Sequence, residues 1–205
     1  MQYNTLTKPE KTALLIGMFA GDGCLPIKHN GEGYRNYQIA FYNTNKKYVT
    51  LFHNLFSQLF QIEGKIFCRK RANKKPLWRF EKYSKKLAVK FNQEFEIPFG
   101  KKALSVFVPS FIKNADLSAR KHFLLGLLIT DGGIRKNGTI IFHAASKKLI
   151  DDIGKLMFDI WEIKKQTKKY RQGKSRSYQI SLNITESRKV LTDMPPSHNL
   201  VLRGS

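Results

Sequence analysis

The sequence predicts an α+β protein made of two pseudo-symmetric αββαββα repeats. Four observations lead there. A glycine-bearing apolar run ending in Asp-Gly occurs twice, as LIGMFAGDG (15–23) and LLGLLITDG (124–132). Their aspartates, Asp22 and Asp131, stand 109 residues apart, about half of the 205-residue chain. The order of alternating and helix-periodic segments after each run is also the same. Finally, 41% hydrophobic and 12% aromatic residues suffice for a real core.

In the first repeat, Thr7 and Glu10 have the spacing of a capping box, and Pro9 is tolerated in a first helical turn. That helix runs through Gly17 and Gly21 to Asp22. NYQIAFYN (36–43) alternates as a strand does. Asn45 is a good N-cap for the helix containing YVTLFHNLFSQLF. GKIFCRKR (64–71) and PLWRFEKY (76–83) read as strands joined by a turn at ANKK, and a closing helix starts at Ser84. In the second repeat, a helix starting near Ser118 or Asp116 runs through Gly126 and Thr130 to Asp131. GTIIFHA (138–144) is the strand, and Ser146 caps LIDDIGKLMFDIW. KKQTKKY (164–170) and SYQISLNI (177–184) are strands around the turn RQGKS, and a closing helix is expected from Ser187. The glycines after each Asp suit left-handed helix caps.

The expected division is a first repeat at 1–100, a linker at 101–117, a second repeat at 118–199 and a tail at 200–205. The connecting stretch around 97–117 holds two prolines and several large apolar residues, so it is expected to be packed. The final LVLRGS resembles the remnant of a protease-cleavable tag and carries none of the argument.

Lys+Arg outnumber Asp+Glu by 37 to 15, a formal charge of +22. Such self-repulsion calls for a polyanionic partner. Basic residues interleave with aromatics inside the strand-like runs, which favours nucleic acid over an anionic membrane. The longest apolar stretch, around FLLGLLI, is too short to span a bilayer, and no signal peptide is visible. Cys24 and Cys68 form no CxxC, so neither a zinc site nor a disulfide framework is indicated, and a reducing intracellular setting is expected.

An interior helical glycine costs about 0.5–1 kcal/mol against alanine. Gly17 and Gly21 lie four apart, as do Gly126 and Thr130, a spacing that lets two backbones touch. If the helices pack parallel, Asp22 and Asp131 meet at their C-terminal ends. Each acid then stands at the negative end of a helix and repels the other. A divalent cation relieves both problems, and oxygen ligands indicate Mg²⁺ before zinc.

LIGMFAGDG and LLGLLITDG resemble the two signature helices of the LAGLIDADG homing endonucleases, in their single-chain, two-repeat form. The resemblance covers nearly the whole chain. It implies that the paired helices join two halves, each with a four-stranded antiparallel DNA-binding sheet lying in the major groove. It implies that Asp22 and Asp131 are catalytic metal ligands, one per DNA strand, assisted by the carbonyls of Gly21 and Thr130. The cofactor implied is Mg²⁺, with Mn²⁺ substituting and Ca²⁺ binding without cleavage. The implied activity is an intron-homing type of double-strand break with short 3′ overhangs at a long, asymmetric double-stranded DNA site, by a monomer needing no protein partner. Asn43 matches the family's polar residue near the metal. The second repeat has Ala144 there, with His143 as a candidate substitute. Lys101 or Lys102, and Arg135 or Lys136, match the family's basic residues near the scissile phosphates. The competing reading is a non-catalytic binder on the same fold, an RNA maturase or transcription factor. Such relatives often lose one acid, and this chain has both.

Period-2 alternation points Ile39, Phe41, Ile66, Cys68, Trp78 and Phe80 toward the helices. It points Tyr34, Asn36, Gln38, Tyr42, Lys65, Phe67, Arg69, Arg79 and Glu81 toward DNA. In the second repeat Tyr178, Ile180 and Leu182 are expected to be buried and Gln179 and Ser181 exposed. Lys28, Arg135, Lys164, Lys168 and Arg176 complete the expected DNA contacts. Arg, Lys, Gln and Asn can read base edges in the major groove.

Overall fold

The computed structural model describes residues 5–29, 35–164, 166–171 and 177–194. The first repeat runs α1 (Lys8–Asp22), β1 (Gly23–Cys24), β2 (Ile27–His29), β3 (Arg35–Asn43), α2 (Lys46–Phe60), β4 (Lys65–Arg71), β5 (Lys74–Tyr83) and α3 (Lys85–Gln93). A short helix, α4 (Ser110–Lys113), lies between the repeats. The second repeat runs α5 (Leu117–Thr130), β6 (Gly132–Ile134), β7 (Ile140–Ala144), α6 (Lys147–Trp161), β8 (Gln166–Arg171), β9 (Ser177–Leu182) and α7 (Ile184–Asp193).

Helix starts follow local chemistry. Thr7 and Glu10 form the reciprocal capping box, with Pro9 in the first turn. Asn45, Ser84, Asp116 and Ser146 each cap the helix that follows. The last helix departs from expectation. Asn183, not Ser187, is its N-cap, accepting from the Glu186 amide at 2.8 Å. Ser187 is fully buried and its hydroxyl accepts from the Ile140 amide at 2.9 Å, tying α7 to β7. The left-handed caps expected after the two aspartates are also absent. Gly23 is extended and Asp131 sits at φ −101°, so both chains pass directly into a strand.

Each repeat carries an antiparallel sheet, β1-β3-β5-β4 and β6-β7-β9-β8. The registers correspond: Phe41 faces Phe80 in the first as Phe142 faces Ile180 in the second. The first sheet has a fifth strand, β2, which pairs with the outer end of β3. Pro26 has no N–H to donate, so it splits the partner of β3 into two short strands. Its carbonyl still accepts from the Gln38 amide at 3.1 Å.

Helices cover one face of each sheet. Ile39, Phe41 and Phe80 are fully buried there, and Phe41 stacks on Phe52 at 4.4 Å. Cys68 shares this register opposite Trp78 but is exposed, on the edge strand of the sheet. Ile97, Val106, Val108 and Ile112 bury the connecting segment in the same core.

At the centre, α1 and α5 are buried on every side, from Ala13 to Ala20 and from His122 to Ile129. A helix apolar all round must be enclosed by protein. Enclosure accounts for FLLGLLI, and no described helix is long and apolar enough to cross a membrane.

Candidate metal centre and nucleic-acid interface

The two central helices touch backbone to backbone. A Cβ on Gly17 would stand 2.2 Å from the Phe123 carbonyl oxygen, and one on Gly126 would stand 2.4 Å from that of Leu14. The cost of the glycines in helix propensity is thus offset by an approach that no larger residue permits. Ser118 Oγ donates to Glu10 Oε1 near the helix starts. Gly21 meets Thr130 and Asp131 at the ends. Contacts advance together along both chains, so the helices are parallel and their C-terminal acids converge.

Asp22 is the last residue of α1, and Asp131 caps α5. Burial, reinforced by the charge of Asp22, pushes the Asp131 carboxyl up to about 6, while Lys102 opposes the rise. Burial also raises Asp22, against a hydrogen bond from Asn43 and the charge of Lys102. Asn43 Nδ2 donates to Asp22 Oδ2 at 2.6 Å. Asn43 Oδ1 in turn accepts from the Asn45 amide at 2.7 Å, so this side chain is held at both ends.

Lys102, not Lys101, belongs to this cluster. Lys101 is exposed, whereas Lys102 is only 7% exposed. Its Nζ donates to the carbonyl of Gly21 at 2.7 Å and to that of Ala20. Burial lowers its pKa, against the pull of Asp131 and Asp22. The reason for the choice is tertiary. Gly100 turns at φ 72° and donates to the Leu25 carbonyl at 2.9 Å, and Leu25 bridges Phe99. That anchorage delivers Lys102 to the end of α1, and no local signal separates it from its neighbour.

This donor set fits a hard divalent cation. It offers two carboxylates and backbone carbonyls, and the Gly21 carbonyl already accepts from a positive charge. Among the described residues no group of three or more His, Cys, Asp or Glu assembles. Water and phosphate oxygens would complete such a shell. The repeats differ here. Asn43 of the first is matched in register by Ala144, which has no polar atom to offer, and His143 is exposed beside it in register with Gln179.

On the sheet faces away from the helices, Asn36, Lys65, Phe67 and Arg69 are exposed, and Tyr42, Arg79 and Ser181 half-buried; Arg135, just after β6, and Lys164, ahead of β8, are exposed outside the strands. Two expected readers are corrected. Gln38 is on the expected face but only 1% exposed, because its Nε2 donates to Glu81 Oε1 and to the Tyr83 hydroxyl. Gln179, expected to be exposed, is 6% exposed between β7 and β8. Glu81 is 8% exposed and Arg79 Nε lies 3.0 Å from it. Sequence reasoning did not find this pairing of charges two residues apart on β5. Tyr34 and Arg176 lie outside the described residues, as do the side chains of Lys28 and Lys168.

No curated protein matches the chain in sequence. The fold is similar to solved structures of the homing endonuclease I-DmoI. One, in complex with DNA and Ca, has 15% identity and a TM-score of 0.71 and covers 96% of this chain and 99% of that one. Another is in complex with DNA and Mn, at 15% identity and a TM-score of 0.68, covering 97% and 99%. DUF199/WhiA from Thermatoga maritima is similar at 13% identity and a TM-score of 0.59, covering 96% of this chain and 60% of that one. A family model described as a LAGLIDADG-like domain matches residues 9–96 and 118–192, one match for each repeat. With both signature helices in contact and a sheet attached to each, the chain belongs to the LAGLIDADG-like family in its two-repeat, single-chain form.

Proposed function

We propose that this chain is a site-specific DNA endonuclease, intron-encoded and acting as a monomer. It hydrolyses both strands of a long asymmetric site with a divalent metal, leaving short 3′ overhangs. The observation that carries the reading is the convergence of Asp22 and Asp131 at the ends of two touching helices, each leading into a sheet with a polar outer face. Residues 1–100 and 118–199 would each address one half-site, across the linker 101–117.

Asp22, Asp131 and the carbonyls of Gly21 and Thr130 would hold the cation. When bound, it supplies Lewis-acid stabilisation of the attacking and leaving oxygens of the scissile phosphate. The chain's own residues do the rest. Asn43 fixes the Asp22 carboxylate through its 2.6 Å hydrogen bond. Lys102 sets a positive charge beside both acids, where phosphate charge must be accommodated. Exposed Arg and Lys side chains of the sheets neutralise the backbone and set affinity.

The test is cleavage of a randomised DNA library with Mg²⁺, by the native chain and by Asp22→Asn and Asp131→Asn. The expected result is one enriched long site with staggered ends, and variants that bind it but cut at least a hundredfold more slowly. Mn²⁺ is expected to replace Mg²⁺, and Ca²⁺ to support binding alone. Tight binding of DNA or RNA without any cleavage would instead establish the non-catalytic reading, for which the plain Ala144 is the one structural argument.

A further inference from the structure

The outer face of the first sheet holds a polar network with no counterpart among the described residues of the second. Arg79 on β5 faces Tyr42 on β3 and Phe67 on β4 in register. Glu81 Oε1 lies 3.0 Å from its Nε as an ion pair, although the Nε–H is not aimed well enough for a hydrogen bond. The Phe67 ring lies 5.2 Å from its guanidinium carbon, within cation–π range. Burial raises the pKa of the Tyr42 phenol, which lies near enough for the Arg79 charge to pull it back down. Glu81 itself accepts from Gln38, which also reaches Tyr83.

We infer that Arg79 is the guanine-reading residue of the first half-site and that Glu81, which does not touch DNA, is the residue that aims it. This rests on the endonuclease reading above. Glu81 is 8% exposed, so it is withdrawn from the groove, and the Arg79 side chain is 40% exposed, so it is not. A guanidinium has five N–H donors. With the guanidinium held between the Glu81 carboxylate and the Phe67 ring, its Nη–H groups suffice for the O6 and N7 acceptors of one guanine. Holding a long side chain in one rotamer before binding removes an entropy cost that a free arginine bears. An unneutralised carboxylate on a DNA-facing sheet would repel phosphate, and the Arg79 contact removes that objection.

Position along the site also follows. Arg79 pairs with Tyr42, the neighbour of Asn43, whose side chain holds Asp22. The guanine therefore lies at the inner end of the first half-site, close to the scissile phosphates. In the second repeat the corresponding register holds His143, Gln179 and Lys169, with Ser181 in place of Glu81. No clamped arginine stands there, so the two inner positions are read differently.

The experiment is selection of bound sites from a randomised duplex library in Ca²⁺, for the native chain, Arg79→Ala, Arg79→Lys and Glu81→Gln. Thermal melts verify that each variant is folded. The native chain is expected to enrich a site with an invariant guanine near its centre on one side only. Arg79→Ala should lose discrimination at that one position by about tenfold to hundredfold, the worth of a bidentate pair. Arg79→Lys should keep overall affinity but lose most of the preference, since a point charge lacks the fork. Glu81→Gln should relax the same position and no other. Two results would overturn the assignment while leaving the endonuclease reading intact: all variants weakened equally on every sequence, or a guanine preference retained by Arg79→Ala. A native chain that enriches no site at all would sink both readings together.

Discussion

Asp131 shows how much a single residue's surroundings decide. Its folded pKa of about 6 exceeds the ordinary 3.8, chiefly through burial and then through Asp22. Between these values the native protein keeps a proton that the unfolded chain has released. The stability tied to that proton is therefore fully present at low pH and is lost as pH rises through about 6. Replacement by asparagine removes the effect. Without metal, Asp131→Asn should melt higher than the native chain at pH 7.5, by roughly 1–3 kcal/mol after allowance for partial exposure. The gap should close near pH 4, and adding Ca²⁺ at pH 7.5 should raise the native melting temperature while leaving that of the variant nearly unmoved. Calorimetric melts across pH would decide it, and a variant gap that does not change with pH would contradict the burial argument.

The element that matters is the helix pair. Alanine normally stabilises a helix interior by about 1 kcal/mol over glycine. At Gly126 the added methyl meets the Leu14 carbonyl at 2.4 Å and the Met18 amide nitrogen at 2.6 Å. Both neighbours are backbone and cannot swing away, so α1 and α5 must separate. Gly126→Ala is expected to lose about 1–3 kcal/mol, the scale of overpacking in a core. Because the acids sit one turn further on, the same variant should also weaken Ca²⁺ binding. Urea denaturation and calorimetric titration measure the two effects. A stabilised variant would mean that the contact is looser than these distances require.

Over the whole molecule, charge governs the encounter with DNA. A formal +22 on 205 residues is far more than the two acids can offset locally. Affinity for any duplex should fall steeply with salt, by about 10³-fold or more between 50 and 200 mM if six or more phosphates are neutralised. Base preference should change much less, since it rests on edge contacts and on DNA deformation. Filter binding on an enriched and a scrambled site across that salt range separates the two. A flat response would remove the sheets from the phosphate backbone.

Composition, periodicity and the duplicated signature were enough to determine two repeats, paired helices, the caps Thr7, Asn45, Ser84 and Ser146, and the convergence of Asp22 with Asp131. These depend on patterns local to one element, or on glycines whose only compensation is close contact, and such signals survive in a linear string. Tertiary structure alone decided the rest. Lys102 rather than Lys101 reaches the acids because a distant turn at Gly100 docks on Leu25. Gln38 and Glu81 lie on the outer face but are closed off, because Gln38 on β3 bonds Glu81 on β5 and Arg79, two residues along β5, lies against Glu81. Cys68 is exposed although its register points to the helices, because β4 takes the edge of the sheet. Alternation assigns a residue to a face, but whether that face is open depends on neighbours far away in sequence. Those contacts form only when the sheet assembles.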